Sequence, residues 1–182
     1  MYDAAMDNAQ EPKVLASGQF MQLIRHGHWE YARRHNAEGA VAVIATTDED
    51  ELVLVEQVRI PMGKACLELP AGLVGDSEAD KGEALLVAAQ RELLEETGYT
   101  ATSFQHLYAI ATSPGLSNER IDLFRATGLA KQHDGGGVDH EEIAVHCIKL
   151  NALDGWLARR AAEGMVIDIK VYFAAAYLQK RS

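Results

Sequence analysis

Two stretches decide the reading of this 182-residue chain, Glu68-Leu69-Pro70-Ala71-Gly72-Leu73 and Arg91-Glu92-Leu93-Leu94-Glu95-Glu96-Thr97-Gly98-Tyr99. The second lies in a run from Gly82 to Thr97 that is rich in strong helix formers, has no proline, and stops at Gly98, so it predicts a helix. On a helix Glu92, Glu95 and Glu96 stand at i, i+3 and i+4, which places three carboxylates on one face within about one turn. Like charges at that spacing repel by a few tenths of a kcal/mol per pair, about 0.2 to 0.5, and only Arg91 is close enough in sequence to offset them. Two readings follow. One is an acidic, solvent-facing helix; the other is a set of hard oxygen donors for Mg2+, which keeps waters and bridges to phosphate, so that a phosphate-bearing substrate is implied.

Outward from the helix the chain is strand-rich. Ala40 to Thr46 and Leu52 to Gln57 are β-branched runs separated by an acidic turn and read as a hairpin. Gln19 to Arg25 and Trp29 to Arg34 flank Gly27 and read as another antiparallel hairpin. Three more strands are expected at Phe104 to Ala111, Ile121 to Thr127 and Ile143 to Lys149. Two helices should end the chain, with Gly164 between them and Trp156 in the core. Strands, a helix, strands and then helices give an α+β fold, a mixed sheet covered by helices. The expected organisation is a flexible tail over residues 1–13, an N-terminal hairpin subdomain over 14–38, and a main domain over 39–182.

Composition narrows the function classes. With 48% hydrophobic and 24% charged residues the chain is globular, and 17 basic against 27 acidic residues leave a formal charge of −10. That charge disfavours a nucleic-acid track or an anionic membrane surface, while a local basic pocket remains open. No apolar run approaches the ~20 residues of a membrane span and the start shows no signal-peptide core, so a cytoplasmic protein is expected. Cys66 and Cys147 sit in apolar stretches and read as reduced thiols. His26 and His28 lack a third ligand nearby and read as structural.

The glutamate-rich run resembles the Nudix box, in which a glycine and a glutamate precede R-E-U-x-E-E-x-G-U, U being aliphatic or aromatic. Gly72, Glu83, Arg91, Glu92, Leu93, Glu95, Glu96, Gly98 and Tyr99 carry the match. Ten residues separate Gly72 from Glu83, about five more than the pattern has. Glu78 would restore that first spacing and break the next, and an insertion costs less in a turn than in a helix, so Glu83 is taken. The resemblance extends to VEQVRIPMG from Val55, to ELPAGL, to the SPGLSNE loop from Ser113 and to WEYARR from Trp29. These segments are similar to the branch that hydrolyses ADP-ribose or related nucleoside diphosphate sugars.

What the resemblance implies is an α/β/α sandwich with a mixed curved sheet between helices. It implies hydrolysis of ADP-ribose to AMP and ribose 5-phosphate with Mg2+ (or Mn2+), and a homodimer that exchanges N-terminal strands. Metal ligands are carried over as Glu92, Glu96 and the carbonyl of Ala71, with Glu95 supporting and Arg91 in the catalytic set. Arg59 resembles the arginine on the diphosphate, and Glu68 a further substrate or metal contact. Glu141, with Glu142 second, resembles the loop carboxylate acting as general base, on a segment that Gly135 to Gly137 would let move like a lid. Trp29, Glu30 and Arg34 resemble the strand that reaches the nucleobase, and Gly115, Leu116 and Ser117 the loop beside the terminal ribose. Each has a plainer reading: a surface arginine at Arg59, an edge-strand carboxylate at Glu68, an acidic turn at residues 139 to 142, and a core tryptophan at Trp29. Alternatives for the whole chain are a GDP-mannose hydrolase, which the run GGGVDHEEI also resembles, and a non-catalytic nucleotide-sensing module.

Overall fold

The structure is a computed structural model that describes residues 11–77, 79–138 and 142–180. Its elements in chain order are β1 (Lys13–Ser17), β2 (Met21–His26), β3 (Trp29–Arg34), β4 (Gly39–Thr46), β5 (Glu51–Arg59), β6 (Lys64–Glu68), β7 (Ala71–Val74), α1 (Leu85–Thr97), β8 (Tyr99–Ala111), β9 (Arg120–Lys131), β10 (Ala144–Lys149), α2 (Leu153–Ala162), β11 (Val166–Ile167) and α3 (Ile169–Gln179). β1, β2 and β3 form a separate antiparallel sheet, so the expected N-terminal hairpin carries a third strand. The main sheet has eight strands in the order β11-β6-β5-β4-β9-β8, with β10 paired to β5 and β7 to β4. β4 runs parallel to β9 and β11 to β6, while the other pairs are antiparallel, which makes the sheet mixed.

β4 explains the layering. Ala40 and every residue of β4 after it are buried, because both faces of the strand are covered. Ala42 and Ile44 join Leu52, Leu54, Leu67 and Leu69 under α2 and α3, while Val41, Val43 and Ala45 join Val53 and Phe124 under Ala88, Ala89 and Leu93 of α1. Thus α1 holds one face of the sheet and the two later helices the other, an α+β sandwich.

The turn between β4 and β5 places Asp50 at φ 57, a conformation that a short polar side chain tolerates. Helix α1 begins at Leu85 rather than Gly82 and ends where expected: Gly98 takes φ 73 and its N–H donates to Leu94 O at 2.8 Å. β8 and β9 are longer than the apolar runs suggest, because their polar ends pair with each other along an edge of the sheet. The terminal helix differs from a simple stripe. It is apolar nearly all round, so periodicity cannot choose its face. The buried residues are Lys170, Val171, Ala174, Ala175 and Leu178, while Ile169, Tyr172 and Phe173 are exposed. Trp156 is partly buried against the core, and Cys66 and Cys147 are both free thiols. Burial pushes the Cys66 thiol up.

Candidate active site

Helix α1 lays its glutamates on the start of β7. Ala71 N–H donates to Glu96 Oε2 at 3.0 Å, and Glu96 is 2% exposed. A Cβ on Gly72 would lie 1.9 Å from Glu92 Oε1, so only glycine lets the helix carboxylate approach that closely. Glu92 and Glu96 therefore meet the Ala71–Gly72 backbone one helical turn apart.

Repulsion within the acidic cluster is offset chiefly by Arg91. The Arg91 guanidinium donates to Glu83 Oε1 at 2.8 Å, to Glu92 Oε1 at 2.8 Å, to Glu95 Oε2 at 3.1 Å and to Leu73 O at 3.1 Å. Hydrogen bonding to Glu83, opposed by desolvation and reinforced by Glu92, raises its pKa further above the ordinary arginine value. The longer loop before Glu83 folds back toward this arginine: Glu83 N–H donates to Asp80 O at 3.0 Å, and Asp80 lies 4.0 Å from Arg91. Glu83 is the glutamate joined to Arg91, and Glu78 lies outside the described residues.

The C-terminal end of α1 is held by a segment that follows it at a distance in sequence. Gly136 N–H donates to Glu96 O at 2.9 Å and Gly137 N–H to Glu95 O at 3.1 Å. A Cβ on Gly135 would lie 2.5 Å from Glu96 O, and one on Gly98 would lie 1.9 Å from His133 O. All three glycines of the run have positive φ, 73, 112 and 82°. Ile143 N–H then donates to Gly136 O at 3.3 Å, so the run is a clasp rather than a free hinge. The glycine composition by itself points only to mobility. Of the candidate bases, Glu141 lies outside the described residues and Glu142 is exposed.

The remaining candidates fall in two places. Arg59 and Glu68 meet side-on at 2.6 and 2.8 Å on the face that holds Glu96, whose charge helps raise the Arg59 pKa after the larger effect of Glu68. The others gather at the N-terminal sheet. Ala32 of β3 pairs with Ser117, Ala32 N–H donates to Leu116 O at 2.8 Å, and Arg34 Nε meets Glu119 Oε1 at 3.1 Å. Gly115 and Leu116 are exposed beside that splice. Glu30 is held by Arg25 at 2.9 Å, and Trp29 is 56% exposed with its ring 5.7 Å from His28, so it is not a core tryptophan of this chain.

Two carboxylates and a backbone carbonyl are a sufficient start for a hard divalent cation, which takes its other ligands from water and substrate. Among the described residues no three acidic, histidine or cysteine side chains converge as a ready cage. Arg91 touches one oxygen each of Glu92 and Glu95, and it is Glu92 and Glu96, the two that meet the Ala71–Gly72 backbone, that fit the role.

Residues 37–165 match the NUDIX domain, and the chain belongs to that family, whose hydrolases generally depend on a divalent metal. It is 44% identical over 141 residues to the methanol dehydrogenase activator of Bacillus methanolicus, covering 78% of this chain and 72% of that protein. It is 37% identical over 141 residues to the ADP-ribose pyrophosphatase of Bacillus subtilis (strain 168), with the same shares of 78% and 72%. The crystal structure of an ADP compounds hydrolase matches with a TM-score of 0.67 over 93% of this chain and 92% of that one at 19% identity, which shows a common fold.

Proposed function

We propose that this chain hydrolyses the diphosphate of ADP-ribose, or of a closely related nucleoside diphosphate sugar, to AMP and the sugar phosphate. The observation that carries the reading is the register of Glu92 and Glu96 on the Ala71–Gly72 backbone, beside the guanidinium of Arg59. Glu92, Glu96 and the Ala71 carbonyl would hold Mg2+ (or Mn2+). When bound, the cation supplies neutralisation of phosphoryl charge and a more acidic water.

The protein's own groups do the rest. Arg59 donates to a diphosphate oxygen and fixes the anhydride against the helix. A loop carboxylate, Glu141 or Glu142, takes the proton as water oxygen bonds to phosphorus and the bridging P–O bond breaks. Arg91 keeps Glu92 and Glu95 aimed. Trp29 and Arg34 grip the nucleobase end across a homodimer formed by exchange of the 14–38 segment, and Gly115 to Ser117 border the ribose. Among the described residues no helix is long and apolar enough to cross a membrane.

Assay of ADP-ribose, GDP-mannose and other diphosphate sugars with Mg2+ and Mn2+, read by product identity, tests this. AMP and ribose 5-phosphate are expected. Faster release of GMP from GDP-mannose would move the substrate to the other sugar. Nucleotide binding with no turnover would make the chain a sensor.

A further inference from the structure

β5 and β6 form an antiparallel hairpin in register Val55↔Glu68, Gln57↔Cys66 and Arg59↔Lys64. Directly opposed residues share a face, so Arg59 and Glu68 lie on the same side of the sheet with Cys66 between them in the ladder. The Arg59 side chain therefore runs back along the strand to reach Glu68. Its Nε and Nη2 donate to the two carboxylate oxygens, a side-on bidentate pair. Exposure divides the pair unequally: the Glu68 side chain is 8% exposed and that of Arg59 is 43%. Among the described residues Nη1 of Arg59 has no hydrogen-bond partner.

We propose that Glu68 is a positioning residue, whose buried carboxylate fixes the Arg59 guanidinium so that its Nη1 edge meets a phosphate oxygen, and that Glu68 contacts neither metal nor substrate. This rests on the diphosphate reading above and departs from the contact role that family resemblance suggests for Glu68. Both Glu68 oxygens already accept from Arg59. For Glu68 to turn to a cation it would have to give up both of its Arg59 hydrogen bonds at a position where its own side chain is 8% exposed and little water can replace them. A tethered arginine also loses less rotamer freedom when a ligand arrives, so the tether acts on ground-state binding.

The test compares Glu68→Gln, Arg59→Lys and the double variant with the wild type. Michaelis constant and turnover for ADP-ribose are measured first. Mn2+ affinity of the substrate-free protein is then read by electron paramagnetic resonance, and affinity for inorganic pyrophosphate in the presence of Mn2+ by calorimetry. Each single variant should raise the Michaelis constant about tenfold, the size of one weakened charge-assisted hydrogen bond, with turnover within about threefold. Mn2+ affinity should not change, and the double variant should be no worse than the worse single variant. Loss of Mn2+ affinity in Glu68→Gln but not in Arg59→Lys would make Glu68 a ligand and overturn the proposal. Unchanged pyrophosphate affinity in both single variants would overturn it as well. Absence of ADP-ribose turnover in the wild type would instead strike the functional reading, while the pyrophosphate titration would still decide the role of Glu68.

Discussion

The last turns of α1 and the sheet of β1, β2 and β3 are organised in opposite ways. In α1 the charged groups named for chemistry are each fixed: Glu96 by Ala71 of β7, Glu92 by its helix neighbour Arg91, which also holds Glu83, and the helix end by Gly136 and Gly137. In the N-terminal sheet the large aromatic group is presented to solvent, while the far half of β3 is tied down at Ser117 and Glu119. Charge that must act on phosphorus has to be held before substrate arrives, because an electrostatic site is useful in proportion to its preorganisation. A stacking surface need only be available, since a base brings its own flat face.

The largest expected break comes from Glu96→Gln. The fold should survive, while turnover falls a hundredfold or more, ~3 kcal/mol of barrier, because one carboxylate charge has gone from the metal position. Normal steady-state turnover in that variant would remove Glu96 from the metal-binding set. Next is Arg91→Ala, which leaves Glu83, Glu92 and Glu95 crowded without their shared cation. Urea denaturation should show a loss of about 3 kcal/mol, as when one member of a buried pair is removed. An unchanged midpoint would mean that solvent already screens the cluster.

Gly135→Ala tests the clasp. A methyl group would meet Glu96 O in a left-handed backbone conformation, so stability should drop by about 2 kcal/mol. Hydrogen exchange should become faster at the end of α1; if only the loop after residue 137 changed, the anchoring would be refuted. Trp29→Ala should have the smallest effect. It should raise the Michaelis constant about tenfold with little change in turnover, from a stacking contribution of roughly 1 to 3 kcal/mol. An unaltered Michaelis constant would separate the exposed indole from substrate binding.

Much of the sandwich is legible in the sequence because its central elements have strong local signals. The β4 run is β-branched and apolar, α1 is built from helix formers, and Gly98 ends it with the positive φ that glycine permits. β6, β7 and β11 are not legible. They are short, Pro70 interrupts the first two, and they exist because neighbouring strands supply their hydrogen bonds. β1 is missed for the same reason, since KVLAS has no distinctive alternation and owes its form to β2.

For the site, spacing alone puts Glu92 and Glu96 on one face of a helix. It does not say that Glu95 turns to Arg91, nor that Arg59 is joined to Glu68, because each depends on a side-chain direction or a hairpin register. The three glycines show the limit most clearly. Their composition indicates conformational freedom, whereas the N–H groups of Gly136 and Gly137 and the positive φ of all three serve an attachment to α1.

The splice between Ala32 and Ser117 has a practical corollary for anyone who would redesign the protein. Residues 113–120 and the first three strands behave as one cassette, since backbone hydrogen bonds join them. Grafting either piece from a relative without the other would mismatch that seam, so a change of ligand preference calls for transplanting both together.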